Sequence, residues 1–192
     1  MSRIIAGSRG GRRIATPLGD RTRPTTDRVR EALFSAIASW AGTAATVPEQ
    51  SLAGLGFCDL YAGSGAVGLE AASRGAKPVL LVEADRRTSL LARRNATDLA
   101  LAAEVRAVRV EQLVRQRAGA AYDVVFADPP YDVASEAVDE LLADLVGNGW
   151  VSSAGLVVVE RSRRTPELSW STAFTEHWNR LYGETVLCFG AR

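Results

Sequence analysis

From residue 55 onward the chain alternates between short apolar runs and longer amphipathic stretches. The apolar runs predict strands over 56–61, 79–83, 105–110, 122–127 and 155–160, and the stretches between predict helices over 66–74, 86–101 and 134–146. Val79-Leu80-Leu81-Val82 and Val124-Val125-Phe126 are apolar without alternation, as befits strands covered on both faces. Strand, helix, strand in repetition implies an α/β fold: a mostly parallel sheet with helices on both sides. The end of the chain differs, because 173–181 and 185–190 flank Tyr182-Gly183-Glu184 and predict an antiparallel hairpin. Upstream, Val29, Leu33, Ile37 and Trp40 recur at helical spacing, and Thr25, Thr26 or Asp27 can cap the helix that carries them. Residues 42–54 read as a loop. At the start, β-prone 3–6 and 12–15 surround Gly7-Ser8-Arg9-Gly10-Gly11, which predicts a small β-hairpin, and Pro17-Leu18-Gly19-Asp20 turns the chain after it.

Charge adds a division that the apolar pattern does not show. Residues 1–30 hold eight arginines and two acids, a local charge of +6. The other residues hold 15 basic and 20 acidic side chains, a charge of −5. A basic arm on an acidic body reads as a polyanion-binding segment, with Arg3, Arg9, Arg12, Arg13, Arg23, Arg28 and Arg30 as candidate contacts. The expected division is a polyanion-binding hairpin arm over 1–23, adding little to the body's stability, and a second domain over 24–192. With 192 residues, 47% of them hydrophobic, the chain suffices for a packed core. It has no apolar run that could span a bilayer, and its arginine-rich start is not followed by the apolar stretch of a secretory signal, so a cytoplasmic protein without membrane contact is expected. Cys58 and Cys188 lack the spacing of a zinc site or disulfide framework and read as buried fillers, with no metal expected.

Two motifs carry the chemistry, both at predicted strand ends, where open α/β sheets bind ligands. The first is Asp59-Leu60-Tyr61-Ala62-Gly63-Ser64-Gly65-Ala66-Val67-Gly68. Its glycines permit a tight strand-to-helix turn and close approach of a ligand. Gly63, Gly65 and Gly68 also match the dinucleotide G-x-G-x-x-G, and Glu83 at the end of the next strand could hold a ribose in either setting. Asp59 tilts the balance, since a carboxylate there can meet a ligand ammonium that nicotinamide cofactors lack and S-adenosylmethionine has. The second motif is Asp128-Pro129-Pro130-Tyr131. Its prolines fix the backbone and remove two donors, leaving the Asp128 carboxylate and the Pro129 carbonyl as acceptors for the two protons of an exocyclic base amine. Tyr131 can stack on the base.

Together these residues resemble class I S-adenosylmethionine-dependent methyltransferases, and are most similar to the bacterial 16S ribosomal RNA guanine-N2 methyltransferases, the RsmD family. The resemblance runs through Arg3-Ile4-Ile5-Ala6-Gly7, Gly11-Arg12, Arg23-Pro24-Thr25, Arg28 to Phe34, the glycine loop, Glu83-Ala84-Asp85, Asp128 to Tyr131 and Tyr182-Gly183-Glu184-Thr185. It implies a Rossmann-like, seven-stranded sheet in which the last strand alone is antiparallel. It assigns Asp59, Tyr61, Ala62, Gly63, Ser64, Gly65 and Gly68 to the methionine part of the cofactor, Glu83 to its ribose, and Ala84, Asp85, Val110 and Glu111 to its adenine. Val110 stands where the family has a small polar residue or Asp, which leaves the backbone there to meet the adenine. The implied substrate is ribosomal RNA, within the small subunit or an assembly intermediate, and the implied state a monomer. N6-adenine or N4-cytosine methylation of DNA, and a non-catalytic RNA-binding protein with a vestigial pocket, are the alternatives. His177, the lone histidine, reads as structural, and Arg161, Arg163 and Arg164 as either phosphate contacts or solvated charges.

Overall fold

In the computed structural model, which describes residues 2–17 and 26–192, seven strands form one sheet. The elements run β1 (Ser2–Arg3), β2 (Arg13–Ile14), α1 (Asp27–Trp40), β3 (Phe57–Leu60), α2 (Ala66–Ser73), β4 (Val79–Val82), α3 (Arg86–Asp98), β5 (Glu104–Arg106), α4 (Val110–Val114), β6 (Tyr122–Ala127), α5 (Ser135–Gly147), β7 (Val151–Ser162), β8 (Glu176–Tyr182) and β9 (Thr185–Ala191). The sheet order is β5-β4-β3-β6-β7-β9-β8, with β9 antiparallel to both neighbours and the other pairings parallel. This is the Rossmann-like arrangement expected from the chain's pattern.

Because strand side chains alternate between faces, each central strand feeds two cores. Phe57, Val79, Leu81, Val124, Phe126 and Val158 pack under α1, α2 and α3. Cys58, Leu60, Leu80, Val82, Val125 and Val157 pack under α4 and α5. Both cysteines are buried and unpaired, as read from the sequence. Among the described residues no helix is long and apolar enough to cross a membrane.

Two predicted elements change. The strand expected over 105–110 stops at Arg106, and Val110 opens the short α4. Five residues are too few to print a helical period, so α4 was invisible in the pattern. The 42–54 loop holds a single 3-10 turn at Pro48–Gln50. Thr26 is the cap of α1, accepting from the Val29 N–H at 3.3 Å.

The N-terminal hairpin forms as expected, Ser2 opposite Ile14 and Arg3 opposite Arg13. It is not a loosely attached arm. Ile4 and Ile14 are buried in the core beneath α1 to α3. The carboxylate of Glu70, on α2, accepts the N–H groups of Ile5 at 2.6 Å and Ala6 at 3.0 Å, and Arg74 Nε at 2.9 Å. Arg30 lies alongside, its Nε 3.9 Å from Glu70 and its NH2 2.9 Å from Asp27 Oδ1. Glu70 and Arg30 both have no exposed surface. The expectation that residues 1–23 contribute little to stability therefore fails on packing, and the expected boundary at 23/24 lies outside the described residues. Replacing Glu70 by Ala leaves the Ile5 and Ala6 N–H groups without their acceptor and takes a negative charge from beside buried Arg30, a loss of about 3–5 kcal/mol. Urea unfolding of wild type and Glu70→Ala checks this; a difference under about 1 kcal/mol would show the hairpin to be only loosely held.

Candidate active site

The glycine loop follows β3 and starts α2. Gly65 precedes the helix with φ +85°, in the left-handed region that a side chain would strain. At Gly68 the need is space: an added Cβ would sit on Leu81 Cδ2 and within 3.1 Å of Asp59 Cβ. That closeness lets the Gly68 N–H donate to Asp59 Oδ2 at 2.7 Å. Asp59 is 1% exposed, and burial pushes its carboxyl up to about 7, against the lowering pull of that bond. Such a group calls for a cation.

Glu83, just past β4, binds the loop from the other side. Its two oxygens accept the Gly63 N–H at 3.0 Å and the Asp85 N–H at 2.8 Å. Gly63 itself faces open space, with no atom within 4 Å of where a Cβ would lie. Asp85 caps α3 through Thr88, whose N–H and hydroxyl hold its carboxyl below the usual range. Tyr61 has φ +61°, uncommon for so large a residue and a mark of strain held for a purpose. Its hydroxyl donates to Glu111 Oε1 at 2.7 Å and so ties the loop to the first turn of α4. Val110 is 1% exposed and belongs to the core, so its side chain offers no polar contact. Ala62, Ser64 and Ala84 stand in the same group of loops, with Ala84 exposed. The structure thus gathers all twelve cofactor candidates along the carboxyl ends of β3 and β4 and the start of α4.

Two buried polar groups behind the site escaped notice in the sequence. Asn95 Nδ2 donates to the carbonyls of Ser64 and Ala15, both at 2.9 Å, and Oδ1 accepts the Ala15 N–H at 3.0 Å. It joins the glycine loop to the N-terminal hairpin. The signal was a lone amide on the buried stripe Ser89, Ala92, Asn95 of α3. Glu70 gave a similar signal, as the one acid in the otherwise apolar α2.

Asp128 follows β6, beside β3, its N–H 3.4 Å from the Leu60 carbonyl. Burial first, then the charges of Glu160 and Asp59, raise its carboxyl well above the ordinary range, while Arg161 pulls it down. Pro129 is buried, Pro130 exposed, and Tyr131 exposed with its ring at the mouth of two adjoining clefts. One, of about 340 Å³, is lined by Asp128, Glu160, Arg161 and Arg164; the other, of about 290 Å³, by Arg28, Leu181 and Tyr182. Tyr131, Glu160, Glu184 and Thr185 line both.

Matching this arrangement, the family model described as conserved hypothetical protein 95 covers residues 2–191. The ribosomal RNA small subunit methyltransferase D of Escherichia coli K12 is 37% identical over 159 residues, 82% of this chain and 73% of that protein. The chain belongs to this methyltransferase family. The solved structure of the Escherichia coli protein yhhF superposes on the methyltransferase with a TM-score of 0.83 at 31% identity, covering all of this chain and 97% of the other. The Thermus thermophilus 16S rRNA N2 G1207 methyltransferase, solved with AdoMet and guanosine, shares the fold (TM-score 0.62, 21% identity, 91% of this chain and 44% of that one).

The arginines divide. Arg12 and Arg13 are exposed on the hairpin, and Arg28 lines a cleft. Arg3 is exposed and paired with Asp27 at 3.2 Å, while Arg9 donates to the Leu99 carbonyl. Arg23 lies outside the described residues. Arg30, expected to touch RNA, has no exposed surface and is a core residue of the methyltransferase. Arg161 is also internal, donating to the Val133 carbonyl at 2.9 Å and so bracing the loop after Tyr131. Arg163 and Arg164 are exposed and lie 3.6 and 3.4 Å from Glu184. His177 is exposed on the edge strand, its ring stacked on Trp170 away from both clefts. Gly68→Ala should lower stability by about 1–3 kcal/mol through overpacking against Leu81; thermal melts of the two proteins check it.

Proposed function

We propose that the chain transfers a methyl group from S-adenosylmethionine to the N2 amine of a guanine in 16S ribosomal RNA. The observation that carries this reading is the adjacency of Asp128 to the glycine loop: β6 pairs with β3, so the acid-Pro-Pro-Tyr turn leaves the sheet beside Asp59. The cofactor supplies a methyl on a sulfonium, electrophilic without further activation. The residues present suit it. Asp59, nearly without solvent and held towards its neutral form, gains by facing an ammonium. Glu83 keeps lone pairs for a ribose diol beyond its two backbone bonds. Gly63 leaves open room, and α4 begins where an adenine would lie.

On the substrate side, Asp128 and the Pro129 carbonyl accept hydrogen bonds from the amine's two N–H groups and hold the nitrogen in line, which is the larger part of what such a reaction needs. The proton displaced by the methyl group passes to the Asp128 carboxylate. Tyr131 stacks on the base. Arg28, in the second cleft, and Arg12 and Arg13, exposed on the hairpin, attract phosphates, so the arm keeps its RNA-binding role while being docked. The family relative from Escherichia coli, named for the small-subunit RNA, supports ribosomal RNA as substrate, free or within the small subunit. We place the protein in the cytoplasm as a monomer. The test is transfer of labelled methyl to small ribosomal subunits, free RNA and DNA, with identification of the modified nucleoside; label in adenine, cytosine or DNA alone would refute the reading.

Asp128→Ala should remove most transfer while leaving cofactor affinity within about twofold. Glu83→Ala should do the reverse first, weakening cofactor binding by about 1.5–3 kcal/mol; titration calorimetry and turnover separate the two. The pH dependence has a definite sign. An ammonium prefers the ionised Asp59, whose carboxyl in the empty protein titrates at about 7. Cofactor affinity should rise with pH up to about 7 and fall below it by up to about tenfold per unit, with release of a proton on binding. Calorimetry in buffers of different ionisation heat reads that proton, and a flat profile from pH 5 to 8 would remove Asp59 from the ammonium.

A further inference from the structure

Glu160 is a carboxylate of the substrate cleft that neither sequence motif contains. Ala127 of β6 and Val159 of β7 are register partners in a parallel pair, so Asp128, which follows β6, comes beside Glu160, which β7 carries two residues before its end. Neighbouring strands lie about 4.8 Å apart. Side-chain alternation places both on the face of Phe126 and Val158, the face that also carries Asp59 and the start of α1. Glu160 lines both clefts, and its charge is one cause of the raised Asp128 carboxyl. Beside it in the second cleft stand Arg28, Leu181 and Tyr182.

Two carboxylates side by side present acceptors and no donor when ionised. The edges of the bases answer this differently. In guanine the amine neighbours a ring N1–H, so the edge offers donors at adjacent positions. In adenine and cytosine the amine neighbours a ring nitrogen lone pair, which a carboxylate repels. We propose that Glu160 reads guanine, accepting the N1–H of the base whose N2 amine is held by Asp128. The carboxylate pair that is unfavourable in the empty cleft becomes favourable when each acid faces a donor. A carboxylate that meets an N–H of guanine meets a ring-nitrogen lone pair of adenine or cytosine instead, so the wrong base loses a hydrogen bond and is repelled. Base identity is thus set by a strand residue, 32 positions from the motif in sequence and adjacent to it only through sheet register. This rests on the methyl-transfer reading above and adds to it the residue that selects the base.

The test uses the full-length protein loaded with S-adenosylhomocysteine and ligand-detected NMR with guanosine, inosine and adenosine. Inosine keeps the N1–H and lacks the amine, so it isolates Glu160 from Asp128. Wild type should bind guanosine and inosine at least tenfold more tightly than adenosine. Glu160→Gln has the same shape but offers an amide N–H to the adenine N1, and its preference for inosine over adenosine should shrink at least tenfold. Glu160→Ala should lose the preference altogether. Unchanged melting temperature and S-adenosylhomocysteine affinity in both variants would show that fold and cofactor pocket are intact. Wild type that shows no preference, or binds neither guanosine nor inosine, overturns the proposal, as does a Glu160→Gln protein that keeps the full preference. Failure of the underlying reading looks different: methyl label recovered in adenine or cytosine from ribosomal subunits would refute guanine methylation whatever the nucleosides do.

Discussion

A carboxylate in a nearly dry place governs the architecture of this site. Asp59 is 1% exposed, and its ordinary charged form is held back by burial. The single hydrogen bond that the Gly68 N–H gives it requires α2 to approach β3 so closely that residue 68 has no room for a side chain. The glycine loop, the angle of α2 and the orientation of its first turn follow from that approach. Sheet parity then does the rest. Asp59, Asp128 and Glu160 occupy one face at the ends of three adjacent strands, so an acidic strip runs along the sheet edge from the glycine loop to the outer clefts.

That strip bears on how a protein with a net acidic body can act on a polyanion. In the proposed reading, these three acids face an ammonium and the N–H groups of a base. Arg28 at the start of α1 lines one cleft, while Arg12 and Arg13 are exposed on the hairpin. The proposed reading thus gives the nucleic-acid backbone to exposed arginines and the base to the acids of the cleft. The strain at Tyr61, with its bond to Glu111, fits the same plan by fixing the loop between the two regions.

Much of this was legible in the chain. Buried parallel strands are nearly solid apolar runs, and the two motifs lie at strand ends where a single glance finds Asp59, Glu83 and Asp128. What stayed hidden was set by pairing across long distances in sequence. Arg30 and Arg12 look alike in a basic segment, yet one is a core residue and the other is exposed, because Ser2, the Arg3 carbonyl and Asp27 take up the Arg30 guanidinium, with Glu70 3.9 Å away. Glu160 is one polar residue in a β-prone run, and becomes meaningful only when β7 is laid against β6. The strand expected over 105–110 ran into Val110 of α4 because Val105, Val108 and Val110 are all β-formers.

The docking of the hairpin has a consequence for how the protein comes into being. The hairpin is made before the residues that hold it. Ile5 waits for Glu70, 65 residues later, Ala15 for Asn95, 80 later, and Arg9 for Leu99, 90 later. At about 5–20 residues per second, the arginine-rich hairpin precedes the end of α3 by on the order of 5–20 s during synthesis. Vectorial synthesis thus delivers the basic segment early and the acidic anchor late, and the chain closes on itself only when its first half is complete.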